Sequence, residues 1–151
     1  PPLRTMEDVA AIKAAMREGN VIDAIATDHA PHEPHLKELP FDEAPCGIVG
    51  LETALALSIS ELELPVLSIL GLLSWQPAAV AGIEAIHGGP VEPGRSANLV
   101  VFDPDEQWLV KASDLASRSS NSPFDGRTLR GRVRHTVLHG EVVVCDGEAQ
   151  R

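Results

Sequence analysis

Residues 26–35, ATDHAPHEPH, hold three of the six histidines of the chain next to an aspartate. Asp28, His29, His32 and His35 therefore stand close together, in a segment that is stiffened by prolines. A carboxylate beside imidazoles suits both zinc binding and proton transfer. A complete metal site needs more ligands than this segment contains, so the pattern predicts one part of a catalytic or metal site.

The residues before this segment predict how Asp28 is held. Thr5 can cap a helix over residues 6–18, whose apolar positions recur at helical spacing. Residues 21–27 follow as an apolar run broken only by an aspartate, and this order predicts a buried strand of a parallel α/β sheet. An aspartate at the carboxyl end of such a strand is where α/β barrels carry reacting groups. The commoner role of an aspartate there is a helix cap or a turn.

Further along, the chain changes from helical to β-rich character. Residues 30–47 contain four prolines and predict a loop. Three more helices are predicted, around 51–57, over 66–73 and from Pro77 onward. Beyond residue 88 we expect two short β runs, an irregular connection over 111–131, and a hairpin joined at His139–Gly140. The predicted division is therefore 1–87 and 88–151.

Composition excludes several classes of partner. The formal net charge of −10 repels phosphate backbones and anionic lipid heads, so nucleic-acid and membrane-surface binding are not expected. Two cysteines are too few for a disulfide framework and predict reduced thiols in a cytoplasmic protein. The sequence begins with proline instead of methionine, which predicts the interior of a longer polypeptide.

Two stretches closely resemble the signature near the end of the catalytic barrel in dihydroorotases: IATDHAPH, which ends at His32, and APCGIVGLETALAL at 44–57. The opening PPLR, the stretch GGPVEPGRSANLVVFDP and the stretch NSPFDGRTLRGRVRHTVLHGEVVVCDG resemble the same family. The resemblance implies the C-terminal part of a TIM-type (β/α)8 metal-dependent hydrolase barrel over 1–87. It assigns 88–151 to the C-terminal strands of a composite β-sandwich domain.

The resemblance also implies roles for particular residues. Asp28 matches the aspartate that approaches a binuclear zinc centre, takes a proton from the attacking hydroxide and returns it to the leaving nitrogen. His32 matches the histidine that hydrogen-bonds the carboxylate of the substrate, and Cys46 and Gly47 match positions whose backbone touches the dihydropyrimidine ring. The substrates would be N-carbamoyl-L-aspartate and dihydroorotate. The remaining family ligands, a His-x-His pair, a bridging lysine or aspartate and two further histidines, have no counterpart in this sequence, so we expect this chain alone to be inactive.

Three functional interpretations stay open, and two small departures from the family pattern do not touch the expected reacting centre. Trp75-Gln76-Pro77-Ala78 and Ala97-Asn98-Leu99 stand where the family usually has Asn before Pro-Ala and Asp before Leu. The first reading is a catalytic dihydroorotase, as a homodimer or in a complex with aspartate transcarbamoylase. The second is a non-catalytic, dihydroorotase-like scaffold of aspartate transcarbamoylase. The third is another cyclic amidohydrolase, of the dihydropyrimidinase or allantoinase type.

Three further histidines have ordinary structural explanations. His29 and His35 are expected to be solvated loop residues, because a proline-rich loop faces water. His87 precedes two glycines near a helix end, where a cationic side chain suits the macrodipole.

Overall fold

The computed structural model describes residues 4–150, so the first three residues of the opening PPLR lie outside the described residues. Helices occupy the first half and strands the second. The helices are α1 (Met6–Glu18), α2 (Pro34–Lys37), α3 (Ala54–Glu61), α4 (Val66–Leu73) and α5 (Trp75–Ala81). The strands are β1 (Leu99–Leu109), β2 (Thr128–Leu138), β3 (Glu141–Cys145) and β4 (Glu148–Ala149), with a short 3₁₀ helix at Ala112–Asp114.

Helix α1 matches the predicted range. Thr5 and Asp8 form a reciprocal capping box: the Asp8 backbone N–H donates to Thr5 Oγ1 over 3.2 Å, and the Thr5 backbone N–H donates to an Asp8 carboxylate oxygen over 3.0 Å. Gly19 ends the helix with a φ of 80°, a left-handed conformation that glycine adopts without a Cβ clash.

Replacing Thr5 with alanine should destabilise α1 locally by about 1 kcal/mol, because one N-terminal amide loses its acceptor. The helix contains no buried residue, so little packing compensates for the lost cap. Faster amide hydrogen exchange in α1 with unchanged exchange in β2 would meet the expectation. Equal exchange in α1 before and after the change would show that the capping box does not stabilise this helix.

The predicted strand over 21–27 is not formed within the described residues. The segment is extended, and its Ile25 N–H donates to the carbonyl of Leu72 over 2.8 Å, but no strand pairs with it. Among residues 4–150 the one parallel pairing is an isolated bridge between His29 and Ile48. A strand needs a neighbouring strand for its backbone hydrogen bonds, and no strand within residues 4–150 lies beside 21–27. The apolar composition of this segment was therefore not enough to predict a strand.

The helices after the proline-rich loop agree closely with expectation. Helix α4 has the predicted bounds, α3 begins three residues later than the predicted start at 51, and α5 begins at Trp75, before the predicted Pro77. The proline-rich loop is largely irregular, as predicted, apart from the single turn of α2. None of the helices among residues 4–150 has the length and apolar content needed to cross a membrane.

The second half folds into one antiparallel sheet in the order β1-β2-β3-β4. The two predicted β runs within 91–110 form one long strand, β1, in which pairing with β2 is interrupted between Asp103 and Gln107. Pro104 lies in this interruption, where its missing N–H disrupts no ladder hydrogen bond. The hairpin between β2 and β3 turns at His139 and Gly140 as predicted, and both have positive φ, as a type I′ turn requires.

Helix α3 packs on β2, which joins the helical half to the sheet. The buried side chains of Ala56, Val110 and Leu129 form the centre of this contact, with Leu57, Trp108 and Phe124 around them. Gly131 has a φ of 94°, and a Cβ there would come within 2.6 Å of Ile59 Cδ1. The close approach of α3 to the sheet therefore depends on glycine at this position.

Candidate functional site

The candidate site consists of two neighbouring segments, Asp28–His32 and Cys46–Gly50. The Ala30 N–H donates to the carbonyl of Ile48 over 2.8 Å, and His29 bridges to Ile48 in parallel. These contacts bring together all four residues that the sequence singled out as the site: Asp28 and His32 on the first segment, and Cys46 and Gly47 on the second.

The Asp28 side chain is exposed and its carboxylate is free. No hydrogen bond or ion pair from this carboxylate is found among residues 4–150. Its backbone φ is 46°, a left-handed conformation that aspartate tolerates better than most residues because it can hydrogen-bond locally. A free carboxylate on a fixed backbone can accept a proton or bind a cation.

The His32 ring is anchored on one side. Its Nε2 lies 2.9 Å from the carbonyl oxygen of Cys46, and since a carbonyl can only accept, Nε2 carries the hydrogen. The neutral ring then offers Nδ1 as an acceptor, and the protonated ring offers Nδ1–H as a donor. No partner of Nδ1 is found within the described part of the chain. That atom is available to a ligand.

The carbonyls of Cys46 and Gly47 both accept hydrogen bonds from side chains. The Cys46 carbonyl accepts from His32, and the Gly47 carbonyl accepts from Lys37 Nζ over 3.1 Å. Lys37 also donates to the Pro45 carbonyl over 2.7 Å, so an ammonium group ties down this turn. The N–H groups of Cys46 and Gly47 have no acceptor among residues 4–150, and they are the backbone groups left for a ligand.

His29 is a structural residue, and the expectation of a solvated side chain was wrong. Its Nδ1 accepts from the backbone N–H groups of Gly50 over 3.0 Å and Leu51 over 3.3 Å, and thereby satisfies donors in the turn before α3. His35 matches its prediction, with 70% of its side chain exposed and Nε2 3.5 Å from a Glu33 oxygen.

Two residues of the predicted irregular connection also reach the site. Ser119 is buried, with 6% of its surface exposed, and its hydroxyl accepts from the His32 N–H over 3.1 Å. The Asn121 side-chain amide donates to the carbonyls of Ala30 and Gly47, each over 3.1 Å. The available signal was the run SSNSP at 119–123, because short polar side chains beside proline often bond to backbone groups.

The site supplies part of a metal centre at most. Within residues 4–150 no group of three or more His, Cys, Asp or Glu side chains is arranged to hold a metal ion. The free Asp28 carboxylate suits one ligand position of a hard or borderline cation. The described residues therefore supply one metal-coordinating side chain, Asp28, and do not complete a metal site.

The amidohydrolase family, as a sequence model, matches residues 3–143 of the chain. The dihydroorotase of Geobacter metallireducens is 48% identical over 143 residues, which cover 95% of this chain and 34% of that protein. The dihydroorotase of Mycobacterium tuberculosis is 42% identical over an alignment 157 positions long, which covers 98% of this chain and 35% of that protein. The chain thus spans about a third of the length of these relatives.

Solved structures of related enzymes have the same fold over nearly the whole chain. The D-hydantoinase (dihydropyrimidinase) of Thermus sp. superposes with a TM-score of 0.87 at 26% identity, covering 99% of this chain and 34% of that one. The L-hydantoinase of Arthrobacter aurescens superposes with a TM-score of 0.86 at 27% identity, covering 100% of this chain and 35% of that one. This arrangement of helices and strands therefore recurs in enzymes about three times as long.

Proposed function

Because the chain belongs to the amidohydrolase family, we propose that it is part of a dihydroorotase, which interconverts N-carbamoyl-L-aspartate and dihydroorotate in pyrimidine synthesis. The observation that carries this proposal is the identity of 42–48% to proteins named dihydroorotase over most of the chain. The hydantoinases match the fold with TM-scores of 0.86–0.87 but share only 26–27% identity. The division into 1–87 from a (β/α)8 barrel and 88–151 from a composite β-sandwich belongs to the same proposal.

In this proposal Asp28 is the catalytic acid and base. Its exposed carboxylate accepts a proton from the nucleophilic water and returns it to the ring nitrogen that leaves in hydrolysis; ring closure reverses the transfer. Its position on a segment bridged to Ile48 fixes where the proton is exchanged. The carboxylate would also supply one ligand to zinc, which when bound would polarise the reacting carbonyl and make water more acidic. The other ligands belong to the longer polypeptide that the lengths of the relatives imply.

His32, Cys46 and Gly47 form the substrate-binding part. The substrate has a carboxylate group. When the His32 ring is protonated, its Nδ1–H donates a charge-assisted hydrogen bond to that carboxylate. The free N–H groups of Cys46 and Gly47 donate to the ring oxygens. A local cation is needed because the chain as a whole has a net charge of −10, which opposes an anionic substrate.

The proposed setting is cytoplasmic, with a small-molecule substrate and with either a homodimer or an aspartate transcarbamoylase complex as the assembly. Two free cysteines agree with a reducing compartment.

Turnover of the intact polypeptide that contains this sequence, supplied with zinc, tests the proposal. Dihydroorotate and N-carbamoyl-L-aspartate should be interconverted, and hydantoin, dihydrouracil and allantoin should be hydrolysed far more slowly. Preference for one of those neutral rings would instead support another cyclic amidohydrolase. Complete inactivity together with binding to aspartate transcarbamoylase would support the scaffold.

Replacing His32 with glutamine should raise the KM for dihydroorotate by about 10-fold to 100-fold, with a much smaller change in kcat, because a charged hydrogen bond to the carboxylate is lost. Glutamine retains an N–H that can still reach the Cys46 carbonyl, so the loop should stay in place. Steady-state kinetics of the intact polypeptide measure the effect. His35→Gln is the matched control, since that imidazole is exposed and outside the site. Equal KM values in the two variants would show that His32 does not bind the substrate carboxylate.

A further inference from the structure

We propose that Ser119 and Asn121 are positioning residues for substrate binding, which hold His32 and Gly47 in place from the connection between β1 and β2. This inference rests on the proposed function of the site. We call the two side chains the Ser119/Asn121 clamp. They lie 87 and 89 positions from His32 in sequence, yet both contact its backbone.

Ser119 holds the backbone of His32 on both sides of its Cα. The hydroxyl oxygen accepts from the His32 N–H over 3.1 Å, and the hydroxyl proton is shared between the His32 carbonyl and Asn121 Oδ1. With both backbone groups fixed, and with Nε2 bonded to Cys46, little freedom remains for the position of Nδ1. Nδ1 is the atom proposed to meet the substrate carboxylate.

Asn121 joins the two segments of the site to each other. Its Nδ2 group donates to the carbonyls of Ala30 and Gly47, and its Oδ1 accepts from the His32 N–H over 3.3 Å. Its own backbone carbonyl accepts from the Val49 N–H over 3.2 Å. A single residue therefore sets the spacing between the His32 loop and the Gly47 turn.

The clamp acts by hydrogen bonding and contributes little apolar packing. Its partners are main-chain atoms, whereas the apolar centre of the fold is formed by Ala56, Val110 and Leu129. Neither clamp side chain is proposed to touch the reacting amide. Loss of the clamp should therefore loosen the substrate-binding groups and leave the proton transfer at Asp28 largely unaffected.

Kinetics of the intact, zinc-loaded polypeptide test the positioning role. Ser119→Ala and Asn121→Ala should each raise the KM for dihydroorotate about tenfold, with kcat within about threefold of wild type. Ser120→Ala, the exposed neighbour, is the control and should leave both constants unchanged. In a His32→Gln background, Ser119→Ala should add less than about a twofold rise, because the two residues act on one contact. A full, independent tenfold rise in that background would overturn the proposal.

Hydrogen exchange of the His32 amide in the intact polypeptide gives a readout that does not depend on activity. Exchange should be about tenfold faster in Ser119→Ala than in wild type and unchanged in Ser120→Ala. Unchanged exchange in Ser119→Ala would refute the clamp alone. An intact wild-type polypeptide that does not turn over dihydroorotate would refute the proposed function and the substrate role of the clamp, whatever the exchange result.

Discussion

Replacing Asp28 with asparagine is expected to lower kcat of the intact polypeptide by a factor of about 10²–10⁴, the usual contribution of a general acid and base. Asparagine has nearly the same size and tolerates the left-handed φ of 46° at this position, but it cannot accept and return a proton. Rates measured at saturating dihydroorotate would show the loss directly.

The folded structure should be unchanged in the same variant. The Asp28 carboxylate is exposed and bonds to nothing among residues 4–150, so its removal leaves no buried group without a partner. Thermal unfolding of the metal-free intact polypeptide should therefore match that of metal-free wild type. Asp23→Asn is the matched control, because it removes an equal charge from an exposed side chain of the same segment. Retained turnover in Asp28→Asn, or an equal loss of kcat in Asp23→Asn, would show that Asp28 is not the catalytic acid and base.

Structure encoded by neighbouring residues could be predicted from the sequence. Helix α1 begins and ends where Thr5 and Gly19 place its caps, and the β2–β3 hairpin turns at His139–Gly140. These features depend on residues a few positions apart, and a capping side chain or a glycine with positive φ determines each one. The clustering of Asp28, His32, Cys46 and Gly47 was predicted from a resemblance, and the structure does bring these residues into adjoining segments.

Features that depend on distant residues could not be predicted in this way. The segment 21–27 has the composition of a strand, but pairing requires a second backbone that residues 4–150 do not provide. Ser119 and Asn121 stand in a run without periodicity, and only folding brings them within hydrogen-bonding distance of His32. His29 likewise had no recognisable partner until Gly50 and Leu51 were placed beside it.

Replacing Gly47 with alanine should lower both stability and substrate affinity. The φ of 132° at Gly47 is a conformation that residues with a Cβ rarely adopt, and the added Cβ would lie 2.5 Å from Ala30 Cβ and 3.1 Å from His32 Nε2. Strain and crowding of this kind cost about 1–3 kcal/mol. Relief by movement would shift the His32 ring, so the KM for dihydroorotate should rise by about tenfold or more.

Two further variants separate crowding from backbone strain. Gly94→Ala introduces a Cβ at a φ of 90°, where nothing lies within 4 Å, so it should cost only the backbone term. Adding Ala30→Gly to Gly47→Ala removes the nearest clashing atom. The double variant should regain part of the lost melting temperature, and its KM should return most of the way to the wild-type value. A lower KM in the double variant than in Gly47→Ala would show that the separation of the His32 loop and the Gly47 turn determines substrate affinity. If Gly47→Ala and Gly94→Ala lowered the melting temperature equally, and Ala30→Gly restored neither the melting temperature nor the KM, crowding would play no part. The close contact between Ala30 and Gly47 would then not determine substrate affinity.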